Sequence, residues 1–229
     1  MSSNRRRSEC WGEPKDEEIK IVLLGSCRVG KTAIVTQYLN HTFVTEYMPT
    51  DEDVSWIEYE SDAGEQVVVK IIDHSGSHEF SAMRDLYIST ADCMLLVCSH
   101  DVPQSTDEVK SLLQVIQQKN SKNPNLILVA NKMDLISPDD EENINSKSAR
   151  FLKLASELAT NFKVPLTKVS AKDPVTVKSL FRQLMEANLS PELPAEHWKK
   201  RRQSMPHRGF AAQLSEIPDE DKNHNCCMS

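Results

Sequence analysis

The sequence predicts a doubly wound, three-layer α/β domain, and three observations carry that prediction. From Ile19 to Asn188, strand-like and helix-like runs alternate, which builds a parallel sheet with helices on both faces. Two consecutive strand-like runs, 54–60 and 66–73, flank the turn signal Ser61-Asp62-Ala63-Gly64, so a hairpin makes one edge strand antiparallel. Between the first strand and the first helix lies Gly25-Ser26-Cys27-Arg28-Val29-Gly30-Lys31-Thr32, a glycine-framed loop. The expected sheet has six strands, mostly parallel, with that single antiparallel strand at its edge.

The elements follow in order. The apolar run 19–25 reads as a buried strand and 31–40 as the helix behind the loop. The hairpin strands come next, then a helix over 79–89. The run Met94-Leu95-Leu96-Val97-Cys98 marks a buried strand over 93–99, too short to span a membrane. A helix over 104–120, a strand over 126–131, a helix over 148–161 and a strand over 165–170 complete the alternation. In the last helix, 176–188, Val177, Leu180, Phe181, Leu184 and Met185 recur at one-turn spacing and form an apolar stripe. Residues 1–18 are polar and charged and read as a flexible extension, 19–189 as the folded domain, and 190–229 as a flexible tail without helical or strand periodicity. A length of 229 residues suits one such domain plus extensions.

Bulk properties exclude several classes. A net charge of −7 and a pI near 5.5 argue against a general nucleic-acid binder, which needs a basic face. Six cysteines do not form a disulfide-framework pattern, and no secretory signal precedes Ile19, so the thiols are expected to be reduced and the compartment cytosolic. No His/Cys grouping has metal-site spacing. A single domain of this size without repeats is expected to be monomeric.

The loop 25–32 matches G-x-x-x-x-G-K-[S/T] in the strand–loop–helix context that gives the pattern meaning. Gly25 and Gly30 let the backbone wrap phosphate oxygens, so amide N–H groups and a helix N-terminus face the anion. Lys31 can reach the β- and γ-phosphates, and the Thr32 hydroxyl can ligate Mg²⁺, with Ala33 next in the helix. Asp73-His74-Ser75-Gly76 closes a strand about forty residues on, placing Asp73 to hold Mg²⁺ through water and the Gly76 amide to sense a γ-phosphate. Asn131-Lys132-Met133-Asp134 follows an apolar strand. A carboxylate at Asp134 can accept from N1–H and the 2-amino group of guanine, whereas adenine presents the wrong donors. Asn131 can tie this loop to the phosphate loop, the Lys132 stem can lie over the base, and in Ser170-Ala171-Lys172 the Ala171 amide would meet guanine O6.

With these motifs in order at strand ends, residues 19–188 resemble a small GTPase of the Ras branch. Phe43-Val44-Thr45-Glu46-Tyr47-Met48-Pro49-Thr50-Asp51-Glu52-Asp53 resembles the Ras first switch and effector loop, and Ser81-Ala82-Met83-Arg84-Asp85-Leu86-Tyr87 the second-switch helix. The resemblance implies GTP and GDP as ligands, with Mg²⁺ held by Thr32, Thr50 and Asp73. It implies that Phe43 packs edge-on against the base, and that losing the γ-phosphate releases Thr50 and Gly76 so that both loops relax. It also implies protein effectors that read Tyr47–Asp53, an exchange factor and an activating protein.

The chain departs from the family pattern where hydrolysis is decided. Ser77 stands where the family carries the Gln that orients the attacking water, and is too short to do so in the same way. Cys27 and Arg28 replace family glycines, and side chains at the Cys27 position obstruct the catalytic arrangement. Lys31, Thr50, Gly76 and Ser77 are therefore the catalytic set, and slow hydrolysis with a poor response to Ras-type activating proteins is expected. His74 or His78 could instead supply the missing function, and Cys27 could be a reactive thiol or simply a tolerated small residue. Asp51 stands where Ras has an apolar residue, and Ser55 replaces an aromatic, so the acidic effector loop suits a basic β-edge on a partner.

The chain ends Cys226-Cys227-Met228-Ser229, a C-a-a-X pattern with Cys226 as the prenylated thiol and a terminal Ser that favours farnesyl. One lipid anchors only marginally, so a second signal is expected. Cys227 can be that signal, or an ordinary a-position residue. Lys199-Lys200-Arg201-Arg202 is the other candidate, worth about 1 kcal/mol per charge near an anionic leaflet. Ser2 excludes N-myristoylation. The expected location is the cytoplasmic face of the plasma membrane, with a cytosolic pool. The sequence thus reads as a membrane-associated GTP/GDP switch in signal transduction; the alternative is a nucleotide-locked scaffold with negligible cycling. A nucleotide kinase on the same loop leaves Asn131–Asp134 and the lipid end unexplained.

Overall fold

The computed structural model describes residues 17–46, 52–62, 64–74, 81–120, 123–137, 139, 146–188 and 198–203. The strands are β1 (Glu17–Leu24), β2 (Glu52–Ser61), β3 (Gln66–His74), β4 (Cys93–Ser99), β5 (Asn125–Asn131), β6 (Leu166–Lys168) and β7 (Trp198–Gln203). The helices are α1 (Lys31–Asn40), α2 (Ser81–Thr90), α3 (Ser105–Lys119), α4 (Lys147–Phe162) and α5 (Pro174–Asn188). All strands join one sheet in the order β6-β5-β4-β1-β3-β2-β7.

Alternation within the strands divides the core into two layers. In β1, Ile19, Ile21 and Leu23 point to the face covered by α1 and α5, while Val22 and Leu24 point to the face covered by α2, α3 and α4. The central strand β4 is buried along its whole length, as a parallel strand covered on both sides must be. The stripe read from the sequence of α5 is the buried one: Val177, Leu180, Phe181, Leu184 and Met185 all face the first layer. Phe181 stacks flat on Tyr38 of α1, with ring centroids 3.7 Å apart and planes 7° from parallel. Helix α4 starts on a cap in which the Ser146 hydroxyl accepts from the Ala149 N–H at 2.9 Å, and it ends where Lys163 turns left-handed.

The sheet differs from the six-strand expectation at one edge. β2 is the one strand that runs against the rest, as the hairpin signal implies, but it is not the edge: β7 pairs with it antiparallel. Residues 198–203 lie within the tail expected to lack strand periodicity, and the physical reason is visible in the pairing. Trp198 is buried against the α1–α5 layer, while Lys199 and Arg201 point the other way and pair with Asp62 (2.7 Å) and Glu60 (3.1 Å). A short edge strand held by backbone bonds and exposed charge pairs carries only one buried apolar side chain, so it leaves no alternation to read. The basic run 199–202, expected near a membrane, thus lies against the acidic outer strand of its own domain.

Candidate nucleotide site

The site lies at the carboxyl ends of β1, β3, β4 and β5, where a doubly wound sheet leaves its crevice. β1 ends in the loop 25–30, and α1 begins at Lys31 with its free N–H groups facing that loop. Gly25 (φ 140°) and Gly30 (φ 95°) sit in backbone regions that favour glycine, and neither tolerates a side chain. A Cβ on Gly25 would run into the Val97 carbonyl oxygen, and one on Gly30 into the Asn131 amide. Arg28 is also left-handed (φ 65°), although it carries a full side chain. Cys27 and Arg28 are exposed on the outside of the loop, while the Val29 side chain is fully buried and offers the site only its backbone.

Lys31 is buried, and its ammonium donates to the carbonyls of Gly25 (2.7 Å) and Ser26 (2.8 Å), so it stays inside the loop's curve. Burial lowers its pKa from the usual lysine value, and the nearby charges of Asp73 and Glu108 oppose that shift. The Thr32 hydroxyl donates to Asp73 Oδ2 at 2.6 Å, bringing together two residues 41 apart in sequence. Asp73 is buried at 2% exposure, and burial pushes its carboxyl up to about 6 despite the Thr32 bond and the Lys31 charge. Its Oδ1 is buried with no hydrogen-bond partner among the described residues. An orphaned carboxylate oxygen beside a hydroxyl and a phosphate-shaped loop fits a hard cation that takes its remaining ligands from phosphates and water. Thr32 and Asp73 could hold Mg²⁺ in this way.

The base-reading end is knit by Asn131, which is fully buried at the end of β5. Its Nδ2 donates to the Val29 carbonyl at 2.8 Å, and its Oδ1 accepts from the Ala171 N–H at 3.1 Å, so one side chain joins three loops. The Ala171 amide, expected at guanine O6, is here engaged by Asn131. Lys132 takes a left-handed backbone (φ 61°) and donates to the Arg28 carbonyl and to Asp101, both at 2.6 Å. Asp134 accepts from the Ser170 hydroxyl (2.6 Å) and pairs with Lys172 (2.9 Å). Burial alone would raise the Asp134 pKa, but these two partners outweigh it and hold the carboxyl below its ordinary value. The Lys172 ammonium also lies 5.6 Å from the centre of the Phe43 ring, which brings Phe43 to this end of the site.

Two residues escaped the sequence reading. Asp101 orients Lys132 and accepts from the Ser99 hydroxyl at 2.6 Å; its position just after a buried strand was the available signal. Glu108, in the first turn of α3, bonds the Ser26 hydroxyl of the phosphate loop, and nothing in its local sequence marks it. Tyr47, Met48, Pro49, Thr50, Asp51, Gly76, Ser77, His78, Cys226 and Cys227 lie outside the described residues. Glu52 and Asp53 begin β2, directly across from His74 and Asp73 of β3. Among the described residues, no helix is long and apolar enough to cross a membrane.

A phosphate-cradling loop, a buried carboxylate–hydroxyl pair beneath it, and an Asn-centred junction below a second carboxylate define a P-loop nucleotide-binding domain. The sequence model of the Ras family matches residues 20–190, and the chain belongs to that family. It is a Ras-like small GTPase, a nucleotide-binding switch domain.

Proposed function

We propose that this GTPase is a membrane-associated signalling switch that binds GTP with Mg²⁺ and hydrolyses it slowly. The observation that carries the nucleotide reading is the Asn131 junction, which fixes the phosphate loop, the Asp134 loop and the Ala171 loop to one another. Such a junction holds the phosphate and base subsites at a fixed separation before ligand arrives, so little ordering cost is left for binding. Asp134, kept ionised by Ser170 and Lys172, supplies two acceptor oxygens for the paired donors of guanine. Lys31 neutralises β- and γ-phosphate charge, and Thr32, Asp73 and Thr50 hold Mg²⁺, which when bound supplies further electrostatic stabilisation of the phosphates. Thr50 and Gly76 read the γ-phosphate and pass its presence to the loop Tyr47–Asp53.

Slow hydrolysis follows from Ser77, whose side chain is too short to orient the attacking water as a glutamine would, and from Cys27 in the phosphate loop. Attachment to the cytoplasmic face of the plasma membrane follows from Cys226, with Cys227 as the second lipid site. Of the four basic residues 199–202, Lys199 pairs with Asp62 just after β2 and Arg201 with Glu60 of β2, so the lipid carries more of the anchoring than the basic run does. The test is the nucleotide content of purified protein, followed by exchange and hydrolysis rates. Bound guanine nucleotide with slow but measurable turnover supports the switch. Only GTP bound, with neither rate measurable, favours a locked scaffold, and bound adenine nucleotide contradicts the base assignment.

A further inference from the structure

A second cavity, lined by no residue of the phosphate loop, lies in the corner where α1, α5 and the β2–β7 edge meet. Its volume is about 450 Å³, within the 300–1,000 Å³ range of small-molecule clefts. Its walls are apolar and aromatic: Tyr38 from α1, Tyr59 from β2, Val177 and Met185 from α5, and Trp198 from β7. Lys178 and Lys200 bring cationic side chains to it, as does Arg182, whose charge is paired with Glu186, and its lining includes no carboxylate. In a chain carrying 34 acidic residues and a net charge of −7, a cavity lined by cations without acids is a local reversal of sign.

Some of the polar groups here are donors with no acceptor among the described residues, and Arg182 is not one of them, being paired with Glu186 at 2.8 Å. Trp198 is only 9% exposed, and its Nε1–H is buried with no hydrogen-bond partner among the described residues. That N–H is closed off from the cavity, so the indole offers a ligand its ring and not its donor. The Tyr38 and Tyr59 hydroxyls bond each other, which consumes one phenolic proton and leaves the second free to donate. Burial raises both phenol pKa values, so both remain protonated donors at neutral pH. Trp198 and Lys200 stand two residues apart on β7 and so share the face turned toward the cavity, while Lys199 and Arg201 face away into their ion pairs. Partial burial lowers the Lys200 pKa, and neither Lys200 nor Lys178 has a carboxylate partner among the described residues.

We propose that this cavity binds a small amphiphilic anion: an apolar body of fatty-acid type seated against Tyr38, Tyr59, Met185 and the Trp198 ring, with a carboxylate head taken by Lys200 and Lys178. Apolar walls alone would accept any hydrophobe. The unpaired donors select a ligand that brings acceptor oxygens and negative charge, and they disfavour a neutral or cationic head of the same length.

The experiment uses the full chain loaded with GDP, titrated with dodecanoate below its micelle concentration, with dodecanol and dodecyltrimethylammonium as matched probes. The readout is the indole N–H resonances of the three tryptophans, with Trp198→Phe assigning one of them. The expected result is saturable one-site binding of dodecanoate that moves the Trp198 signal and leaves Trp56 and Trp11 in place. Dodecanol and the ammonium probe should bind at least ten-fold more weakly. The double variant Lys178→Gln/Lys200→Gln should weaken dodecanoate ten-fold or more while leaving dodecanol affinity and bound GDP unchanged. Equal affinity for all three heads, movement of all three indoles together, indifference to the double variant, or no saturable binding because the chain's own residues fill the cavity would each overturn the proposal.

Discussion

The two ends of the molecule that hold polar groups in the core do so in opposite ways. At the nucleotide end, Asn131, Lys31, Lys132 and Asp134 each have at least two protein partners, and the loops lock together before any ligand is present. At the α1–α5–β7 corner, the Trp198 N–H, one tyrosine proton and two lysines have none among the described residues. The first is a preorganised frame in which the buried Asp73 Oδ1 has no hydrogen-bond partner among the described residues, which suits a cation. The second is a set of donors around an apolar cavity. A satisfied network marks what the fold must hold rigid, and an unsatisfied one marks what it leaves to a ligand.

The largest expected effect breaks the frame. Asn131→Ala removes two buried hydrogen bonds and leaves the Val29 carbonyl and the Ala171 N–H without their partner, at about 1–3 kcal/mol each. Denaturant unfolding of the GDP-loaded protein should show a loss of about 4 kcal/mol, together with faster nucleotide release. A loss below about 1 kcal/mol would mean that the three loops do not depend on this side chain. At the opposite corner, Trp198→Ala should cost about 3 kcal/mol and expose the outer amides of β2 to hydrogen exchange. Lys199→Ala with Arg201→Ala should leave the unfolding midpoint unchanged, because exposed ion pairs contribute little. If the charge pair variants instead released β7, the strand would be electrostatic in origin and the indole secondary.

The Asp73 carboxyl sharpens the contrast, because its burial is a cost until a cation arrives. Its pKa in the folded protein is raised from 3.8 to about 6, so the native state holds the proton more tightly than the unfolded chain. Stability of the nucleotide-free protein should therefore fall as pH rises from about 4 to about 6 and level off above that. Asp73→Asn should remove this slope and stabilise the nucleotide-free form at pH 7 by about 2 kcal/mol, while abolishing the Mg²⁺ dependence of nucleotide affinity. Parallel pH profiles for the two proteins would contradict the assignment. The smallest effect is at Arg28. Replacing it by glycine relieves about 1–2 kcal/mol of left-handed strain but gives back about 0.5–1 kcal/mol in chain entropy, for a net gain of about 0.5 kcal/mol.

The same contrast explains what could be read in the sequence. The nucleotide end is legible because its chemistry demands particular residue types at fixed spacing: Gly25 and Gly30 where a Cβ would clash, Lys31 and Thr32 at the helix start, Asn131 and Asp134 after an apolar strand. The layers are legible through period, as in the α5 stripe. β7 is not, because its one apolar residue, the buried Trp198, leaves no alternation to read, and it is held by the backbone of β2 and by charges that read equally well as a solvated basic run. Glu108 is illegible for a related reason: its partner Ser26 is 82 residues away, and only the packing of α3 brings them together. The corner cavity exists only once β7 is in place, so no inspection of α1, β2 or α5 alone suggests it.

This frame is proposed to bind guanine nucleotide tightly and to cleave it slowly for want of a water-orienting side chain at position 77. Single-turnover GTP hydrolysis by the wild type and by Ser77→Gln tests it most directly. Slow cleavage is expected in the wild type, and a rate raised at least ten-fold by the glutamine. A wild-type rate equal to that of an ordinary Ras protein, and unchanged by the substitution, would contradict it.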